Sequence, residues 1–217
     1  MSTTADLTRR DFAFLRGEAL GFGIGSFLFA AGAVMQMAGV ASAPVNLTYA
    51  AGAVFFTTAA AIQLRAAFAH LPAGTSRWRA LVADPDVASS WIQQIGTLAF
   101  NVMTIRAVVL PPTAADYGEI WQPDVFGSAL FLISSWIAWH PIARARRHQR
   151  ISWNSRGICW GNMIGSVFFA ISAWGAKLLP NLELQSEQWS NAGTLLGAIG
   201  FFVASILTWP GAHDRDD

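Results

Sequence analysis

The chain has 217 residues, of which 53% are hydrophobic and 12% charged. That charged share is about half of a soluble domain's, which argues against a water-soluble globule and for a chain whose apolar surface meets lipid. The net charge of +1 is uninformative as a sum, and the single cysteine, Cys159, excludes an internal disulfide and any cysteine-pair metal or redox motif.

The segment up to Glu18 carries charges and lacks the form of a signal peptide, so the apolar stretch after it reads as a retained helix. Six such stretches have the length needed to span a bilayer. They are Leu20–Val40, Leu47–Phe68, Ser89–Leu110, Val125–Ile142, Ile158–Leu179 and Ala192–Trp209. Pro44, Pro111-Pro112, Pro141 and Pro180 are expected just beyond helix ends. Trp91, Trp121, Trp139, Trp160, Trp189 and Trp209 fall near the ends, as in an aromatic belt. Between the second and third stretches, Ser76-Arg77-Trp78-Arg79-Ala80-Leu81-Val82 fits either a short helix lying on the inner surface or a polar loop.

Charge orients the chain. Arg9, Arg10, Arg16, Arg65, Arg77, Arg79, Arg144, Arg146, Arg147, Arg150, Arg156 and Arg215 fall on one side. Asp116, Glu119, Asp124, Glu183 and Glu187 fall on the other, with Arg106 and Lys177. The positive-inside rule then places both termini in the cytoplasm, as an even helix count requires.

A repeat runs through all six stretches. Each carries Gly, a small residue, two variable residues, Phe, and a later small residue. The copies are Gly25 with Phe29, Gly52 with Phe56, Gly96 with Phe100, Gly127 with Phe131, Gly165 with Phe169 and Gly197 with Phe201. Positions four and eight apart share a helix face. Small residues there let two backbones approach, so the pattern reads as helix packing, with a ligand box as the sharper alternative. The expected architecture is all-α: one membrane domain over 1–217, a six-transmembrane-helix bundle of three similar hairpins near 20–68, 89–142 and 158–209. Three such hairpins can surround a pseudo-threefold axis.

Ile24-Gly25-Ser26-Phe-Leu-Phe29, Ile164-Gly165-Ser166-Val-Phe-Phe169 and Phe126-Gly127-Ser128-Ala-Leu-Phe131 together resemble the YrhK-like family of small bacterial membrane proteins. Trp121-Gln-Pro-Asp124-Val-Phe-Gly-Ser is similar to longer actinobacterial members. The chain departs in holding three hairpins where the minimal unit has one, and in Ala53 and Ala198 where serine is expected. The resemblance implies a multipass protein of the bacterial cell membrane and no catalytic residue.

No ionisable residue falls at the middle of a stretch, which argues against an ion-coupled pump or an intramembrane metal site. His70, His140, His148 and His213 read as interfacial. Arg106 is expected to meet Asp124, and Lys177 to meet Glu183 or Glu187, as hairpin anchors, with binding of an external anion as the functional alternative. On the third stretch Ser90, Gln94, Thr97, Asn101 and Thr104 share one face. With Asn162 they form a candidate intramembrane polar face, either interhelical glue or one wall of a conduit. Walker, zincin and nucleophile-elbow motifs are absent, and no cofactor, metal or nucleic-acid partner is implied. The basic stretch 144–150 reads as a topology signal facing anionic lipid. The expectation is a non-enzymatic membrane subunit that acts through a membrane-protein partner or its own copies. A channel or facilitative transporter for a small neutral or polar solute is the alternative.

Overall fold

A computed structural model describes residues 9–110, 114–144, 152–180 and 183–210, the side chains of 114–116 and 142–144 excepted. Pro111, Pro112, His148, His213, Arg215 and most of the basic stretch 144–150 lie outside that set. Among the described residues the chain forms seven helices and no strand. They are α1 (Arg9–Met37), α2 (Ser42–Ala69), α3 (Arg77–Ala83), α4 (Pro85–Val109), α5 (Ala114–Arg144), α6 (Trp153–Gly175) and α7 (Glu187–Thr208). Of these α1, α2, α6 and α7 are long and apolar enough to cross a membrane.

The helices begin and end on local chemistry. Asp84 caps α4 by accepting from the backbone N–H groups of Asp86 and Val87, both at 3.0 Å, with Pro85 in the first turn. Ser152 and Ser186 cap α6 and α7 in the same way. α1 stops at Gly39, whose φ of +74° is left-handed. There Val40 N–H reaches Met35 O and Gly39 N–H reaches Gln36 O, both at 3.0 Å, a Schellman ending.

Two proline placements differ from expectation. Pro44 sits in the first turn of α2, where its missing N–H would have no partner in any case. Pro141 lies inside α5, as does Pro123. A helix keeps such a proline when another donor takes up the freed carbonyl. α3 resolves the choice for 76–82 in favour of a helix, with Trp78 and Val82 each 83% exposed.

The six long helices close a ring. α1 packs along α2, α4 along α5 and α6 along α7; α2 meets α4, α5 meets α6, and α7 returns to α1. Within each pair the helices run antiparallel and exchange the same contact. A methyl at Gly25 would stand 2.6 Å from the Phe56 ring, and one at Gly52 would stand 2.8 Å from the Phe29 ring. Gly165 faces Phe201 at 2.8 Å, and Gly197 faces Phe169 more closely still. Gly96 and Gly127 face Phe131 and Phe100 at 3.4 and 3.3 Å, so the middle pair is looser. In every pair the carbonyl of one glycine lies 3.0–3.2 Å from the methyl position of the other. Only a residue without a side chain permits that approach.

The small residue after each glycine falls on the seams between pairs. Ser166 donates to Phe131 O (3.1 Å) and meets Ser135 Oγ (2.8 Å), and Ser128 donates to Phe169 O (3.3 Å), across α5 and α6. Ala53 O accepts from Asn101 across α2 and α4. On the α1–α7 seam Ser26 is fully buried and its hydroxyl has no partner among the described residues. α7 presents Ala198 in the motif position and turns Ser205 onto its own Phe202 O (2.7 Å). Ser205 is the counterpart of Ser135, which meets Ser166 on the α5–α6 seam, so its turn onto Phe202 O leaves Ser26 without that hydroxyl.

Candidate functional site

The phenylalanines of the repeat meet on the ring axis as two stacked triangles. Phe29, Phe100 and Phe169, from α1, α4 and α6, touch one another with ring centroids 5.7–6.3 Å apart. Phe56, Phe131 and Phe201, from α2, α5 and α7, do the same at 5.5–6.3 Å. Between the layers the partners of each pair lie 5.1–5.5 Å apart. Edge-on and tilted contacts of this kind add to the burial of the rings. Together they form an apolar plug in which every ring is 1–4% exposed.

Above the first triangle lies a cavity of about 520 Å³. Phe29, Phe100 and Phe169 form its floor, and the second triangle takes no part in its lining. Its walls are found by stepping two helical turns from each phenylalanine. The step runs forward on α1, α4 and α6 and backward on α2, α5 and α7, because alternate helices run in opposite directions. It arrives at Gln36, Ala107, Ala176, Tyr49, Asp124 and Thr194, all of which line the cavity. Lining residues continue to Ser42, Leu110 and Ser190 at the helix ends. The cavity therefore lies toward the end of the ring that carries the α1–α2 turn. Arg16, Arg65, Arg77 and Arg156 lie at the other end.

The upper wall is knit across the seams. Asn46 Nδ2 donates to Ala107 O at 2.7 Å, joining α2 to α4. Tyr117 Oη donates to Ala176 O, and Trp121 Nε1 to Ala173 O at 2.8 Å, joining α5 to the end of α6. Ser172 Oγ donates to Ser190 O and meets Thr194 Oγ1, both at 2.7 Å. Tyr49 Oη donates to Gln36 Oε1 over a long 3.5 Å.

Among the described residues Asp124 is the only acidic one in the lining, and no Lys, Arg or His shares it. The pairing of Arg106 with Asp124 is not found. Pro123 explains the change. It supplies no N–H to the carbonyl of Glu119, four residues earlier. Arg106 Nη1 takes that carbonyl at 2.8 Å and lies 3.6 Å from the Glu119 carboxylate. Asp124 accepts no hydrogen bond and pairs with no cation among the described residues. Lys177 enters the α6–α7 connection through its backbone, where its carbonyl accepts from Gln185 N–H at 2.7 Å.

The candidate polar face divides. Thr104 lines the cavity while donating to Phe100 O at 2.9 Å on its own helix. Gln94, Thr97 and Asn101 lie outside the cavity lining. Asn101 Nδ2 donates to Thr57 Oγ1, to Ala53 O (3.4 Å) and to Thr97 O (3.1 Å), tying α4 to α2. Thr97 Oγ1 donates to Gln94 O (2.8 Å), and the buried Gln94 Oε1 has no partner among the described residues. The backbone carbonyl of Asn162 accepts from Ser135 and Ser166 on the α5–α6 seam. Among the described residues no three His, Cys, Asp or Glu gather as a metal site. The wall residues Gln36, Tyr49 and Thr194 were not singled out from sequence; their signal was the two-turn spacing from the repeated phenylalanine. The chain matches no protein-family model, no curated protein and no solved structure.

Proposed function

We propose that this is a six-crossing protein of the bacterial cell membrane that binds a small solute in the axial chamber and passes it by facilitated transport. The chamber and its phenylalanine floor carry the reading. A volume of about 520 Å³ falls in the range of small-molecule sites, and so does a wall of aromatic rings with a few polar groups. The small-residue faces are consumed inside the ring, which leaves little of the repeat to dock a partner subunit.

Several features support the crossings. α4 and α5 have 25 and 31 residues, long enough at about 1.5 Å per residue to span roughly 30 Å of hydrocarbon. Their outward faces are apolar, with Leu98, Val102, Ile105 and Val109 on α4 and Phe126, Ile133 and Trp136 on α5. Asn101 on α4 and Ser128 and Ser135 on α5 are turned to the seams. The arginine bias supports cytoplasmic termini and a chamber open to the outside. The YrhK-like resemblance fits the same class and adds no activity.

The test is uptake into proteoliposomes holding the purified protein. Solute flux above that of empty vesicles is expected. It should be unchanged per folded molecule in Asn101→Leu, since Asn101 ties helices and does not line the chamber. No flux above empty vesicles, for cationic and neutral solutes alike, would overturn the transport reading.

A further inference from the structure

We infer that the chamber is built to hold a small organic cation of the ammonium type, its positive head between Asp124 and the surrounding aromatic rings. The inference rests on the chamber described above and names the class of solute it takes.

The first argument is charge. Asp124 lines a chamber that contains no basic side chain among the described residues. The nearest candidate partner by sequence, Arg106, is occupied by Glu119. The tyrosine hydroxyls in the same wall are also spent elsewhere, Tyr49 on Gln36 and Tyr117 on Ala176. A carboxylate in a partly desolvated wall with no counter-charge is costly, and a bound cation offsets that cost.

The second argument is independent of charge count. Phe29, Tyr49, Phe100, Tyr117, Trp121 and Phe169 all line the chamber. Aromatic faces attract cations through the ring quadrupole, and cages of such rings are the recurring solution for methylated ammonium groups. A bare metal ion would instead call for several hard oxygen ligands. The one carboxylate among aromatic rings does not provide them. An anion would meet Asp124 with no positive group to oppose it.

The third argument is polarity in the wall. Ser190, Thr194, Gln36 and Asn46 line the same chamber, where their side-chain oxygens can still accept a hydrogen bond. They suit a hydroxyl or other neutral polar tail on the ligand.

The test compares choline with its uncharged carbon isostere, dimethylbutanol, and with acetate and potassium chloride, by calorimetric titration of the detergent-purified full chain. Choline should bind at least about 10-fold tighter than the isostere, with acetate silent and potassium weaker than choline. Asp124→Asn should weaken choline at least about 30-fold and leave the isostere unchanged. Trp121→Phe should keep the preference and Trp121→Leu should reduce it. The wild-type comparison needs no variant, so a misfolded substitution does not decide the matter. Equal binding of choline and the isostere, binding of neither, or preference for acetate or potassium would overturn the inference. Choline binding without vesicle uptake would uphold it and remove only the transport reading; uptake of neutral solutes without choline binding would do the reverse.

Discussion

Alanine at Gly197 is expected to lower the stability of the protein by about 1–3 kcal/mol, the usual range for overpacking a filled site. The added methyl would overlap the edge of the Phe169 ring and stand 3.0 Å from Gly165 O. Neither neighbour can yield easily. Phe169 is held by Phe29, Phe100, Phe131 and Phe201, and the carbonyl belongs to the backbone of α6. The effect should follow the geometry of the pairs. Gly25→Ala, with its methyl 2.6 Å from Phe56, should fall in the same range. Gly127→Ala should cost less, because its methyl meets the Phe100 ring at 3.3 Å. Gly118→Ala meets nothing within 4 Å and should stabilise α5 by roughly 0.5–1 kcal/mol through backbone entropy. Unfolding midpoints of the four variants in one detergent give the order directly; equal losses at Gly197 and Gly118 would contradict the packing account.

Truncating Phe131 to alanine should have the larger effect, about 3–5 kcal/mol. Its ring is 1% exposed and touches Phe56, Phe100, Phe169 and Phe201, so its removal opens a hole in the centre of the plug. The ring also lies beneath the chamber floor, and the reverse two-turn step from the six phenylalanines arrives at Phe22, Gln63, Gln93, Ala138, Asn162 and Thr208. Phe131→Ala is therefore expected to raise solute leakage through reconstituted protein while lowering its unfolding midpoint. Phe131→Leu keeps most of the volume and should restore both toward wild type. Loss of stability with unchanged leakage would mean that the plug packs the fold without gating the axis.

The repeat was legible from sequence because its physics is local. Glycine and phenylalanine four apart share a face whatever the neighbouring helix does. Exchange of glycine and ring within each pair then follows once the helices are antiparallel. The seams were harder to see. Ser26, Ser128 and Ser166 occupy the same motif position, yet only the last two find partners among the described residues; Ser135 meets Ser166, whereas Ser205, its counterpart on α7, is turned onto its own Phe202 O.

The chamber was not legible, for two reasons. Its wall residues lie two turns from each phenylalanine in alternating directions, so they form a set only after the helices are placed in a ring. Asp124 was also read as the partner of Arg106. That pairing fails through a backbone effect, the carbonyl of Glu119 released by Pro123, which no pattern of charges displays. Asn101 shows the opposite outcome. Its depth in the third stretch suggested either glue or a conduit wall, and its bonds to Ala53 and Thr57 place it on a seam.

The most direct test of a solute chamber open to the outside is chemical access to its wall. Ala107 lines the chamber and is half-buried, so Ala107→Cys on a Cys159→Ala background places one thiol there. A membrane-impermeant thiol reagent added to intact cells should label it, and choline should slow the labelling. Labelling only in inside-out vesicles, or a rate that no solute alters, would contradict the account.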